Sequence, residues 1–111
     1  MVYRETFQDI YLIEVGRTAL ENDRLVEEAN KTSMWFHVSD SPSPHGILTN
    51  TKTPATFSQE AINRCAELVK SYSKSKKQCN VKIDCIIVAY VQRTNKLGMV
   101  ILSQKPKKIV V

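Results

Sequence analysis

The sequence predicts an α+β fold, a single compact domain over residues 1–111 in which two helices accompany a mixed, mostly antiparallel sheet in the order β-α-β-β-α-β-β-β. Three observations carry that prediction. Short runs of Ile, Val, Leu and aromatic residues recur between turn-forming clusters, as strands require. Two segments, one ending near Asn30 and one from about Thr56 to Tyr72, instead place apolar residues at helical spacing. A chain of 111 residues, 42% hydrophobic and 24% charged, is long enough for one modest core and too short for two independent ones.

Ile10 to Gly16 reads as the first strand, rich in Ile, Leu, Tyr and Val and closing on a glycine able to take positive φ. Asn22-Asp23 then offers an N-cap, and Leu25, Val26 and Ala29 fall at helical spacing opposite Arg24, Glu27 and Glu28. Met34 to Val38 alternates, with Trp35 and His37 on one face and Met34, Phe36 and Val38 on the other, the latter set pointing inward. The turn formers from Ser39 to Pro44 reverse the chain before His45 to Asn50 resumes as a strand. Thr56 and Gln59 resemble a capping box, after which Ala61, Ile62, Cys65, Leu68, Val69 and Tyr72 mark the apolar face of a helix. Continuing that helix sets Lys70, Lys74 and Lys77 in a basic stripe at its C-terminal end, where positive charge suits the dipole. Val81 to Val91 ends in the unbroken apolar run IIVAYV and predicts a central strand covered on both faces. Leu97 to Ser103 and the closing KKIVV are the last strands, joined by connections too short for helical crossovers and therefore paired as antiparallel hairpins.

Charge is distributed unevenly. Through Val69 there are six basic residues against ten acidic ones, whereas from Lys70 onward ten basic residues face Asp84 alone. Such asymmetry points to a polyanionic partner, although lysine-rich loops also keep small domains soluble. No apolar run is long enough to span a bilayer, and MVYRETFQDI carries charges where a signal peptide has its apolar segment, so a cytoplasmic protein without membrane contact is expected. Cys65, Cys79 and Cys85, odd in number and without CxxC spacing, predict reduced thiols rather than a disulfide framework or a zinc knuckle.

The only tryptophan and both histidines gather between Gly16 and Leu48. Two imidazoles with no suitably spaced cysteine make a poor zinc site, and neither a metal nor a cofactor is expected. Cys65 and Cys85 fall on apolar faces, where thiols pack rather than react. His37 with Asp40 and His45 is chemically capable of acid–base work, but nothing identifies a substrate pocket, and no enzymatic activity is expected. Nucleic-acid contact uses the whole set: an exposed indole stacks on an unpaired base, imidazoles bond phosphate or base edges, and lysine and arginine neutralise the backbone. Trp35 equally suits a core anchor, and His45, after a proline turn, a residue that fixes the loop.

The stretch VGRTALENDRLVEEANKTSMWFHVSDSPSPHGIL resembles the core of the NFACT-R domain family, whose pattern runs Gly-Arg, Asn-Asp-x-Leu, an alanine, Asp-x-Trp-x-His, then Pro-Gly-Ser-His and an aliphatic strand. The matching positions are Gly16, Arg17, Asn22, Asp23, Leu25, Ala29, Trp35, His37, Pro42, His45, Ile47 and Leu48. A weaker likeness continues through Pro54, Ala61, Ala66, Tyr72-Ser73, the strand from Val81 to Val91, and Gly98 to Val100. Two departures stand out: Ser33 replaces the acid two positions before the tryptophan, and Pro42-Ser43-Pro44-His45 replaces Pro-Gly-Ser-His.

The resemblance implies an RNA-binding module of the kind found in ribosome-associated quality-control factors that engage the large ribosomal subunit and tRNA. Here it is expected to stand alone, without the N-terminal domain, helix-hairpin-helix and coiled coil of the larger proteins, and hence without tRNA-dependent tailing of stalled peptides. The expected partner is structured RNA, tRNA or rRNA, with Arg17, Lys70, Lys74 and Lys77 on phosphates and Asn22, Trp35, His37 and His45 lining the contact surface. Two alternatives remain open: a protein-interaction module docking on a ribosome-associated partner, and an RNA-processing or RNA-modifying enzyme recognisable by His37, Asp40 and His45 within hydrogen-bond reach of one another.

Overall fold

A computed structural model describes residues 1–111. The strands are β1 (Tyr3–Phe7), β2 (Tyr11–Val15), β3 (Met34–Val38), β4 (Gly46–Asn50), β5 (Lys82–Ile87), β6 (Val91–Arg93), β7 (Val100–Leu102) and β8 (Lys107–Val110), and the helices α1 (Ala19–Glu28) and α2 (Gln59–Ser71). Six strands form one sheet in the order β1-β2-β4-β3-β5-β8, with every neighbouring pair antiparallel, while β6 and β7 form a separate hairpin. The α+β class holds, and so does the predicted order from Ile10 onward, with the Val81 to Val91 strand divided into β5 and β6; the last strand, β8, pairs with β5 instead of forming a hairpin with β7.

Period-2 alternation decides what each face of the sheet buries. Tyr11, Ile13, Val15, Phe36, Val38, Leu48, Ile83 and Cys85 meet Ala61, Cys65, Ala66, Leu68 and Val69 of α2 in the larger core. Phe36, fully buried there, contributes roughly 2–3 kcal/mol by transfer from water alone. Trp35, Ile47 and Ile86, aligned across β3, β4 and β5, point to the opposite face. There they are covered by Leu25 and Val26 of α1 together with Val88 and Val91. The molecule is therefore three layers: α2, the sheet, and a thinner layer of α1 and the β6–β7 hairpin.

Local chemistry shifts several boundaries from those expected. β1 is an additional strand: Tyr3, Glu5 and Phe7 face inward, and Glu5 is tolerated there because Arg64 of α2 forms a bidentate pair with it at 2.8 Å. Asn22 and Asp23 do not cap α1 but lie inside it; Thr18 is the N-cap, accepting from the Glu21 N–H at 3.2 Å. Ser58, rather than Thr56, caps α2 and accepts from Ala61 N–H at 3.1 Å. The predicted strand from Val81 to Val91 is divided, because after Ile87 the chain leaves the sheet through a 3-10 turn at Val88–Tyr90. Val88 and Ala89 N–H groups donate to the Ser33 and Lys31 carbonyls, which carries Val88 and Val91 over the Trp35 face.

The helical basic stripe is also corrected. α2 ends at Ser71, where the Ser71 hydroxyl donates to the Leu68 carbonyl and the Ser73 hydroxyl to the Lys70 carbonyl, closing the helix end. Lys74 and Lys77 consequently follow the helix instead of continuing its face. No helix is long and apolar enough to cross a membrane.

Candidate nucleic-acid interface

Four segments meet at one end of the molecule around an open cleft of about 680 Å³. Arg17 and Thr18 enter α1, Tyr72 to Lys74 leave α2, Asp40 to Pro44 connect β3 to β4, and Lys96 to Met99 form the tip of the hairpin. Arg17, Lys74 and Lys96 line this cleft, and none of them forms a salt bridge, whereas Arg4, Arg64, Arg93 and Lys108 are all paired with carboxylates. Asp40 is the single carboxylate in the lining. The Arg17 guanidinium lies 5.0 Å from the centroid of the Tyr72 ring, a cation–π contact that holds its charge at the cleft edge. An unpaired cation cluster of this kind attracts polyanions by long-range field and short-range hydrogen bonding.

Among the residues expected to contact nucleic acid, Arg17, Asn22, His37 and Lys74 come together in the cleft lining. Lys70 and Lys77 do not join them. Lys70 turns to the other side of α2, where its Nζ donates to Val111 O at 3.3 Å, and Lys77 is exposed in the loop beyond. Trp35 and His45 form the layer below the cleft, 2% and 1% exposed, so the expected stacking of Trp35 on a base and a direct ligand contact by His45 are both overturned. The cause is the covering layer of α1 and the hairpin, which buries the face that Trp35 shares with His37.

The burial is built on hydrogen bonds. Trp35 Nε1 donates to His45 Nδ1 at 3.1 Å, and the His45 backbone N–H donates to Asn22 Oδ1 at 3.0 Å. Burial pushes the His45 pKa down to about 3; nearby His37 acts in the same direction, and a backbone hydrogen bond with Gly98 only partly opposes it. His45 is therefore neutral at pH 7. Gly16 is required beside this network, because an added Cβ would sit on Asn22 Oδ1. The hairpin that covers it is tied to α1 by Arg93, which donates to Asp23 at 2.7 Å and to Glu27 at 3.1 Å. Gly98, at φ +78°, takes a left-handed turn against Ala19.

His37 is the one member of the aromatic cluster that reaches the cleft. Its ring stacks on Trp35 at 5.4 Å and 10°, and Nδ1 lies 2.7 Å from the Val38 carbonyl. Its pKa is lowered chiefly by burial, with Val38 and Asp84 opposing. No hydrogen bond joins His37, Asp40 and His45, so the acid–base arrangement named by the enzymatic reading is not formed. Cys65 and Cys85 are buried in the larger core, where desolvation raises both thiols, Cys85 to about 12.

Lys96 and Tyr72 belong to this site without having stood out as contact residues in the sequence. A turn lysine has no local signature, and Tyr72 reads as the last apolar position of a helix. Thr18-x-x-Glu21, by contrast, is a legible capping pattern that marks where α1 begins and so where Arg17 is held.

Residues 1–103 match the family described as the NFACT protein RNA binding domain. The chain belongs to this family. Among curated proteins, the NFACT RNA-binding domain described above is similar to the Rqc2 homolog RqcH of Streptococcus suis, with 36% identity over 76 residues that make up 68% of this chain and 13% of RqcH. The Rqc2 homolog RqcH of Streptococcus pneumoniae is 32% identical over 78 residues, 69% of this chain and 14% of that protein. The chain thus spans about one-seventh of the length of these relatives. Among solved structures it superposes on the C-terminal part of the fibronectin/fibrinogen-binding protein from Streptococcus suis with a TM-score of 0.85 and 27% identity, covering 97% of this chain and 43% of that one.

Proposed function

We propose that this NFACT RNA-binding domain binds structured RNA, tRNA or rRNA, through the cleft between the start of α1, the end of α2 and the hairpin tip, and that it acts in the cytoplasm on the large ribosomal subunit in ribosome-associated quality control or translation. The observation that carries the reading is the convergence of Arg17, Lys74 and Lys96, none paired with a carboxylate, on one cleft of a chain in this family. Its similarity to RqcH supports the link to ribosome quality control.

In this reading the cations hold phosphates, the buried Trp35–His45–Asn22 network keeps their platform rigid, and the domain serves as a binding module. Three phosphate contacts should give a log–log dependence of affinity on salt with a slope of about −2 to −3. A salt titration of fluorescent tRNA binding, with duplex DNA as competitor, tests the reading. Salt-sensitive binding that the DNA does not erase is expected, and absence of binding at low salt would overturn it.

A second reading has its own observation. Leu97, Met99 and Ile101 on the hairpin are each more than half exposed, and such apolar side chains suit docking on a ribosome-associated protein. Association that is insensitive to salt and lost with Leu97→Ser or Ile101→Ser would favour it over RNA.

A further inference from the structure

We propose that His37 is the residue with which the cleft distinguishes RNA from DNA, its Nε2 accepting a hydrogen bond from a ribose 2′-hydroxyl. This rests on the RNA-binding reading above and names the group that selects within it. The inference starts from the tautomer. A carbonyl oxygen only accepts, so the 2.7 Å contact between His37 Nδ1 and the Val38 carbonyl places the proton on Nδ1 and leaves Nε2 as a lone-pair acceptor. His37 lines the cleft, and Nε2 has no hydrogen-bond partner within the chain. The lowered pKa of the ring keeps it neutral at pH 7.

The other neutral acceptors around the cleft are largely engaged. Thr18 Oγ1 accepts from Glu21 N–H, Asn22 Oδ1 from His45 N–H, Ser43 Oγ from Val38 N–H and Ser73 Oγ from Ser75 N–H. Asp40 is the only carboxylate in the lining, and its negative charge repels the phosphates that flank a ribose. His37 Nε2 is thus an open neutral acceptor set among cations that can only donate. A phosphate satisfies the cations but offers nothing to Nε2. The complementary donor lying beside phosphates along the backbone is the ribose 2′-hydroxyl, the group that separates RNA from DNA.

A base edge also carries donors, but the cleft offers it no free aromatic platform. Trp35 is buried beneath His37, and the face of Tyr72 is taken by Arg17. Readout is accordingly of the sugar–phosphate backbone, independent of base sequence and dependent on the sugar.

The test measures affinity of the full chain for one RNA hairpin, its all-DNA equivalent and a 2′-fluoro version that keeps the RNA-like helix but lacks the hydroxyl donor. Wild-type protein is expected to bind the RNA about fivefold more tightly than either analogue, the worth of one neutral hydrogen bond. His37→Phe, which keeps a ring against Trp35 and removes the acceptor, should lose that factor on RNA and nothing on DNA or 2′-fluoro RNA, with the salt slope unchanged. The comparison of the three nucleic acids on wild-type protein stands even if the variant fails to fold. Equal binding of all three overturns the assignment of His37 while leaving RNA binding intact, as does a His37→Phe loss of the same size on all three. Binding of none of them at low salt overturns both readings.

Discussion

Trp35 donates its indole N–H to Nδ1 of His45 over 3.1 Å, in a layer that α1 and the hairpin shut off from solvent. Because Nδ1 accepts, the neutral imidazole carries its proton on Nε2, and the His45 main chain is held in turn by Asn22. Residues from α1, β3 and the connection just before β4 so form one buried polar chain. In a low-dielectric interior each unpaired member would cost about 1–3 kcal/mol. Asn22, Trp35 and His45 thereby divide the motif from His37 and Arg17: the first three build the floor, and the last two face the cleft above it.

As the chain's single tryptophan, Trp35 reports on this arrangement directly. Its fluorescence is expected to be blue-shifted, resistant to acrylamide and unchanged in wavelength when RNA is added. An indole that stacks on a base would show the reverse. Trp35→Phe removes the donor to His45 and should destabilise the fold by about 1–3 kcal/mol, while Trp35→Ala should cost about 3–5 kcal/mol, both read from urea midpoints.

Mild acid should weaken the fold through His45. Its folded pKa of about 3 lies below the ordinary 6.5, so between those values the unfolded chain binds a proton that the folded chain does not, and stability rises with pH. The contribution is complete above about pH 6.5 and is lost as pH falls toward 3, a span worth on the order of 5 kcal/mol. Glu5, held at about 2 by Arg64 against its ordinary 4.5, adds a further loss only below pH 4.5. Urea midpoints measured from pH 7 to pH 4 should therefore fall before Glu5 contributes, and His45→Asn should reduce the slope between pH 6.5 and 4.5, leaving the smaller share that comes from His37, whose pKa burial also lowers.

Gly46 is fixed by packing rather than by backbone conformation. A Cβ there would lie 2.5 Å from Val69 Cγ2 and 3.2 Å from Cys65 Sγ, on the face where β4 meets α2. Gly46→Ala should cost about 1–3 kcal/mol through overpacking. Val69→Ala in the same chain should recover part of that loss, a non-additivity that thermal denaturation of the single and double variants would reveal.

Element order from Ile10 onward and most strand boundaries were legible because periodicity records which side chains share a face. It does not record whether that face is covered. Trp35 and His37 alternate together, but the covering of Trp35 depends on the chain leaving the sheet after Ile87 and on Arg93 reaching Asp23, a contact made 70 residues away in sequence. β1 is concealed for a related reason: Glu5 occupies an inward position, and only Arg64 makes that acceptable. The lysine stripe fails because regular spacing extrapolates a helix past Ser71, where serine hydroxyls satisfy the final carbonyls and end it. Of the candidate site, the local motif residues were readable, and the meeting of Lys74 with Lys96 was not, since nothing near either lysine encodes it.

That meeting separates the lysines into two groups with different expected effects. Lys74 and Lys96 line the cleft with Arg17, whereas Lys70 is hydrogen-bonded to Val111 and Lys77 lies in neither place. Each of Arg17→Gln, Lys74→Gln and Lys96→Gln removes a contact to phosphate and should weaken tRNA binding while reducing the magnitude of the log–log salt slope by about 1. Lys77→Gln alters the net charge by the same amount but should leave that slope unchanged within error. The control separates a local interface from a diffuse field: if all four variants move the slope equally, positive charge acts over the whole surface and the cleft is not where RNA is held. Arg17→Lys adds a further distinction, because it keeps the charge and loses the planar contact with Tyr72. Its slope should match the wild type, with affinity reduced through a less firmly placed cation.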